Sequence, residues 1–149
     1  MAEIGFYHLT RSGPDQALPP LLGRTLAAGQ RAVILCDSDE RLASLDAALW
    51  LAPTPDWLPH GSRATGHADL QPIWLATTLE TPNGARFLFR IDGTGSDADP
   101  AAFDRVFDLF DGNNETTVAA ARRRWTTAEA AGHILTYWQQ TPTGWEKRR

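Results

Sequence analysis

RAVILCDSDERLASLDAALWLAPTPDWLPH, residues 31 to 60, passes from strand through turn and helix to an aromatic exit loop without a gap. Ala32 to Cys36 is an apolar run rich in aliphatic and β-branched residues. It is too short for a helix and bounded by polar residues, which predicts a strand buried on both faces. Asp37 can cap the helix that follows, with Glu40 three positions on as in a capping box, and acidic residues in a first turn suit the positive helix end. Leu42, Leu45 and Leu49 recur at three- and four-residue spacing, an apolar stripe that lies back on a sheet. The stripe ends at Trp50, followed by a proline-broken loop that carries Trp57, Pro59 and His60.

Outward from this stretch the same alternation continues. Ile4 to Leu9 reads as a first strand, followed by a loop and a helix. In that helix Pro14, Pro19 and Pro20 sit near the start, Leu18, Leu21, Leu22 and Leu26 form the apolar face, and Gly29 is the stop. Strand, helix, strand, helix with short connections predicts an α/β fold, a Rossmann-like mostly parallel sheet with helices on both faces. Ile73 to Thr78 and Arg86 to Ile91 read as two strands, and Asn83-Gly84 between them is a hairpin signal, so an antiparallel hairpin is expected there. Ser96 to Pro100 suits a helix start, and Phe103, Val106, Phe107 and Phe110 follow at helical spacing. A long helix is expected from Glu115 to Ala131 with Gly132 as its stop, then Ile134 to Trp138 as a strand or a continuation of that helix. Beyond Pro142 the chain is polar, with Trp145 as its one anchor.

Residues 1–149 show no internal repeat or linker and read as a single domain. The single cysteine, Cys36, excludes an internal disulfide and a cysteine-based metal cluster, and its place in an apolar strand marks it as core. Neither an apolar run long enough to span a membrane nor a leader pattern is present, so a soluble, cytoplasmic protein without membrane contact is expected. A formal net charge of −4 speaks against a general nucleic-acid binder. Two basic clusters stand out against it: Arg122-Arg123-Arg124 and Lys147-Arg148-Arg149.

Enzyme chemistry finds little support. A nucleotide-binding or phosphoryl-transfer enzyme is the alternative that such a sheet suggests, but the first turn, Leu9 to Pro14, has neither the G-x-G-x-x-G spacing nor a Walker lysine. His8, His60, His67 and His133 form no metal-ligand pair, and no serine lies in a nucleophile elbow. No cofactor is expected. The Arg122 to Thr126 run offers a different chemistry. Arg122 shares a helix face with Trp125 and Thr126, and a guanidinium beside an aromatic ring suits a peptide that ends in an aromatic side chain and a carboxylate. From spacing alone a solvated arginine face with Trp125 in the core is the stronger reading, and direct single-stranded DNA binding is a third.

The chain resembles the chi subunit family of bacterial DNA polymerase III, a clamp-loader accessory protein. The resemblance rests on FYHL, AVILCDSDERLASLDAALW, WLPH, the late FDLFDG, and ARRRW with AAG after it. It implies a non-enzymatic adaptor on a Rossmann-like sheet that bridges the clamp loader to single-stranded DNA-binding protein. The acidic, Phe-ending C-terminal tail of that protein would meet Phe110, Arg122, Trp125 and Thr126. A basic residue is expected where Thr126 stands, so Arg123 or Arg124 is expected to stand in for it. A second surface, Trp50 and Trp57, would take the psi subunit or a helicase. DNA enters only indirectly.

Overall fold

The computed structural model describes residues 2–53, 58–94 and 99–149. In chain order they form β1 (Glu3–Leu9), α1 (Pro14–Ala27), β2 (Ala32–Leu35), α2 (Asp39–Leu51), β3 (Ile73–Ala76), β4 (Phe87–Ile91), β5 (Arg105–Asp111), α3 (Glu115–Ala130), β6 (Ile134–Thr141) and β7 (Gly144–Lys147). The strands make one sheet in the order β3-β2-β4-β5-β1-β6-β7. Every pairing is parallel except β6 with β7. Side chains alternate across the sheet and create two cores. Tyr7, Ile34, Phe89 and Phe107 pack with Leu18 and Leu22 of α1 and Leu45 and Leu49 of α2. Phe6, Val33, Leu88 and Phe110 pack with Ala121 and Ala128 of α3 on the opposite face.

Residues 31 to 60 fold largely as their pattern predicts. All four residues of β2 are buried, and Leu45 and Leu49 are fully covered while Leu42 is partly so. The helix cap falls one residue later than Asp37: Ser38 Oγ accepts the Arg41 N–H at 3.1 Å. Its hydroxyl also donates to Asp37 at 3.3 Å, so the acidic residue steadies the cap. The first helix and its glycine stop are as expected, with Gly29 at φ +74, but only Pro14 stands at the start, and Pro19 and Pro20 lie inside the helix.

Two expectations are corrected. The strands flanking Asn83-Gly84 are not a hairpin, because β2 lies between them and pairs with both in parallel. The turn exists, with Gly84 at φ +70, but Asn83 anchors a crossover: its amide donates to the carbonyls of Ala32 and Gln71 at 3.2 and 2.9 Å. The antiparallel pair of the fold is β6 with β7 at the C-terminal edge instead. The second correction concerns residues 103 to 110, which are not a helix: from Arg105 onward they belong to strand β5. A central strand covered on both faces carries apolar residues on both, here broken only by the buried Asp108, so no period of two is visible, and the phenylalanine spacing matches a helix by coincidence. Ser96 lies outside the described residues, and Pro100–Ala102 is a single 3-10 turn.

The remaining elements follow their punctuation. Asn114 caps α3 through the Thr116 N–H at 2.9 Å, and Gly132, at φ +85, follows its end. Ile134 to Trp138 is strand, and Trp145 of β7 packs edge-on to Tyr7 with ring centroids 5.1 Å apart. No helix among the described residues is long and apolar enough to cross a membrane.

Cys36 is fully buried at the end of β2, and burial pushes its thiol up to about 11. The folded state therefore holds a proton there that the unfolded chain releases, so this contribution to stability is complete below about pH 8.5 and is lost as pH rises toward the folded value. Urea unfolding should show a larger loss of stability between pH 8 and pH 10 in the native protein than in Cys36→Ala.

Candidate functional site

A cleft of about 490 Å³ opens between the exposed flank of α3 and the end of the sheet. Arg122, Trp125 and Thr126 line it from α3, His8 from β1, Tyr137 and Gln139 from β6, and Arg148 and Arg149 from the run after β7. None of these lining side chains is acidic. The terminal arginines arrive through backbone pairing: Arg148 N–H donates to the Tyr137 carbonyl at 2.7 Å, and Tyr137 N–H donates to the Arg149 carbonyl at 3.3 Å. Arg149 sets its guanidinium 4.7 Å from the centre of the Trp125 ring, a cation–π distance. Trp125 leans on Phe6 at 5.3 Å and on Tyr137 at 5.9 Å between ring centroids. The floor is thus aromatic and the rim cationic.

The arginine run divides among three environments because a helix turns about 100° per residue. Ala121 and Ala128 face the sheet, which fixes the phase. Arg122 falls on the cleft flank, Arg123 is exposed, and Arg124 falls on the other flank. There Arg124 grips Asp108 of β5 with two bonds of 2.8 Å each. Arg90 of β4, also buried, approaches the same carboxylate at 3.2 Å. Burial lowers the Arg90 guanidinium from its ordinary value while Asp108 opposes the shift.

Phe110 and Thr126 differ from Arg122 and Trp125 in what they offer. Phe110 is buried beneath the cleft, with its ring 5.2 Å from His8 and 6.1 Å from Tyr137. It shapes the floor without forming the lining. Thr126 lies on the rim, but its hydroxyl donates to the Arg122 carbonyl at 3.1 Å within its own helix. The cations that join Arg122 in the cleft are Arg148 and Arg149 instead of Arg123 or Arg124. The terminal basic cluster is visible in the sequence as charge but nothing local brings it to the helix, and no local signal singles out His8, Tyr137 or Gln139. The Ala121, Trp125, Ala128 spacing of small and aromatic residues was the usable signal for the helix phase.

Of the second group of predicted residues, Trp50 sits at the far side of the molecule, where α2 ends beside the β3 edge. Trp50 is 56% exposed and Leu51 83% exposed, an apolar pair on the surface. The Trp50 ring rests on His60 with centroids 4.2 Å apart. His60 is buried, its Nδ1 2.8 Å from the Leu58 carbonyl and its Nε2 3.1 Å from the Asp46 carboxylate, and so ties residues 58–60 to α2 beneath Trp50. Trp57 lies outside the described residues.

The ordinary ligand position of a doubly wound sheet is the crevice where strand order reverses. Here that is between β1 and β5, since β1 leads through α1 toward β2 and β5 leads through α3 toward β6. A crevice of about 440 Å³ exists there. However, the N–H groups of Thr10, Arg11 and Ser12, the loop that would cradle a phosphate, all donate to Gln140 Oε1, at 3.2, 2.9 and 3.1 Å. Among the described residues no group of three or more histidine, cysteine, aspartate or glutamate side chains is placed to hold a metal.

Comparison with protein families matches residues 1–136 to the DNA polymerase III chi subunit, HolC. The chain belongs to this family. A relative from Rickettsia prowazekii (strain Madrid E), described as a probable DNA polymerase III subunit chi, is 27% identical over 94 residues, which cover 63% of this chain and 57% of that protein. The match to the chi family takes in β1, α3 and the first residues of β6, whereas Tyr137, Gln139, Arg148 and Arg149 of the cleft lie beyond residue 136.

Removing Asp108 should reveal how the arginines are divided. Asp108→Ala leaves two buried guanidinium groups facing one another and should cost about 3–5 kcal/mol, while Arg123→Ala should stay within about 0.5 kcal/mol. Urea unfolding of the two variants measures the difference.

Proposed function

We propose that this chi-family chain is a non-enzymatic accessory subunit of bacterial DNA polymerase III that bridges the clamp loader to single-stranded DNA-binding protein. The α3 cleft takes the acidic C-terminal tail of that protein, and it acts on DNA only through this partner. Family membership supports the polymerase context. The observation that carries the binding mode is the convergence of Arg122, Arg148 and Arg149 around an aromatic floor, with no acidic side chain in the lining. A chain end that combines carboxylates with a phenylalanine matches both halves of that surface: guanidinium groups take carboxylates through paired hydrogen bonds, and the ring packs against Trp125 and Tyr137.

The Trp50 and Leu51 surface is the second docking site of this reading, with Trp57 beside it in sequence, and takes the psi subunit or a helicase. Exposed tryptophan is the residue type that most often dominates an interface. The two surfaces stand at opposite edges of the sheet, so one chain can hold both partners at once. The work is done in the cytoplasm, where replication proteins meet.

Calorimetry with a short acidic peptide ending in phenylalanine tests the cleft. Arg122→Ala should weaken binding by about 1.5–3 kcal/mol, the range for hydrogen bonds to charged groups, and added salt should weaken the unaltered protein as well. Trp50→Ala should leave peptide affinity unchanged, because distant sites act independently. Unaltered affinity in Arg122→Ala would remove the cleft assignment.

A further inference from the structure

His8 stands between two oxygens at the back of the cleft, and this fixes its tautomer. Its Nε2 lies 3.3 Å from the Gly112 carbonyl and its Nδ1 lies 2.7 Å from the Tyr137 hydroxyl. A carbonyl only accepts, so Nε2 carries the proton of the neutral ring. Nδ1 is then bare, and the Tyr137 hydroxyl donates to it. A phenol has a single proton. Toward the cleft Tyr137 therefore offers lone pairs alone.

The arrangement is built, not incidental. A Cβ added at Gly112 would stand 1.8 Å from His8 Cδ2 and 2.7 Å from the Leu9 carbonyl, so only glycine lets the imidazole reach this place. The Gly112 N–H is itself tied to the Leu9 carbonyl at 2.7 Å. Burial raises the Tyr137 phenol above its ordinary value, which keeps the proton that His8 accepts.

We infer that the Tyr137 hydroxyl oxygen, oriented by His8, accepts a backbone N–H of the peptide held in the cleft. This deepens the acidic-tail reading and rests on it. The three arginines of the cleft are pure donors and match carboxylates, but they can do nothing for the N–H groups that a peptide buries as it enters. Thr126, whose hydroxyl proton goes to the Arg122 carbonyl, is likewise left with lone pairs, but it stands on the α3 rim beside the arginines, whereas Tyr137 is held at the back of the cleft by His8. Tyr137, on the strand that faces α3, supplies a fixed acceptor, and a fixed acceptor sets the register in which side chains reach the arginines and the floor.

The test is calorimetric titration with a short acidic, phenylalanine-ending peptide and with copies methylated at one backbone nitrogen at a time. Tyr137→Phe keeps the ring against Trp125 and Phe110. It should weaken the parent peptide by about three- to tenfold, as loss of a neutral hydrogen bond does, and leave the salt dependence unchanged. At one position, methylation should weaken binding to the native protein and add little in Tyr137→Phe. If Tyr137→Phe binds the parent peptide as the native protein does while Arg122→Ala binds it weakly, the tyrosine role is overturned and the cleft stands. If every methylated peptide loses equally against both proteins, the Tyr137 hydroxyl accepts no backbone N–H and the inference is likewise overturned. If neither substitution alters affinity, the cleft reading falls and this inference falls with it.

Discussion

The carboxylate of Asp108, wholly buried in the middle of β5, is the constraint on which the arrangement of the site depends. Neither it nor the buried Arg90 can remain in an apolar layer without compensation, since an isolated charge there costs several kcal/mol. The two-bond contact from Arg124 answers the carboxylate and ties α3 to β5 across the layer. With Arg124 turned inward on one flank, Arg122 and Trp125 are carried to the other. One buried ion pair thus helps to decide which of three consecutive arginines faces the cleft. The small side chains of Ala121 and Ala128, packed toward the sheet, let the helix sit close enough for the contact to form.

Much of the scaffold was legible because its signals are local. The β2 run, the leucine stripe of α2 and the glycine stops of α1 and α3 each state their structure within a few residues. The misreadings came where the deciding partner is distant in sequence. Residues 105–111 look helical by spacing and are strand because layers on both sides of the sheet cover them. Asn83-Gly84 does turn the chain, but β2 had already taken the place between the two strands. A turn signal reports where the chain bends, not which strands it joins.

The same distinction runs through the cleft. Its α3 wall was readable, since Arg122, Trp125 and Thr126 are neighbours on a helix whatever the fold. Its other wall depends on β6 pairing with β1 and on β7 folding back, both long-range events. His8 is one residue of a plain first strand, and nothing around it in sequence announces that Tyr137 lies 2.7 Å away. The terminal basic cluster was visible as charge but not as a position. Only the ladder that continues past Lys147 turns it into a rim around Trp125.

Strand β6 also explains why a sheet of this kind presents its cleft beside α3 and not at the reversal of strand order. Its side chains alternate: Tyr137 and Gln139 face the cleft, while Trp138 and Gln140 face the α1 side. Gln140 places one amide oxygen among three successive N–H groups of the β1–α1 loop and donates to Ser12 Oγ at 2.6 Å. Such a row of N–H groups is what an anion seeks in related architectures. Here the row is satisfied from within the chain, and an anion would have to displace a side chain held by four hydrogen bonds. The same contacts hold the end of β6 against β1, next to His8 and Tyr137. What closes the usual ligand position therefore also steadies the back wall of the cleft.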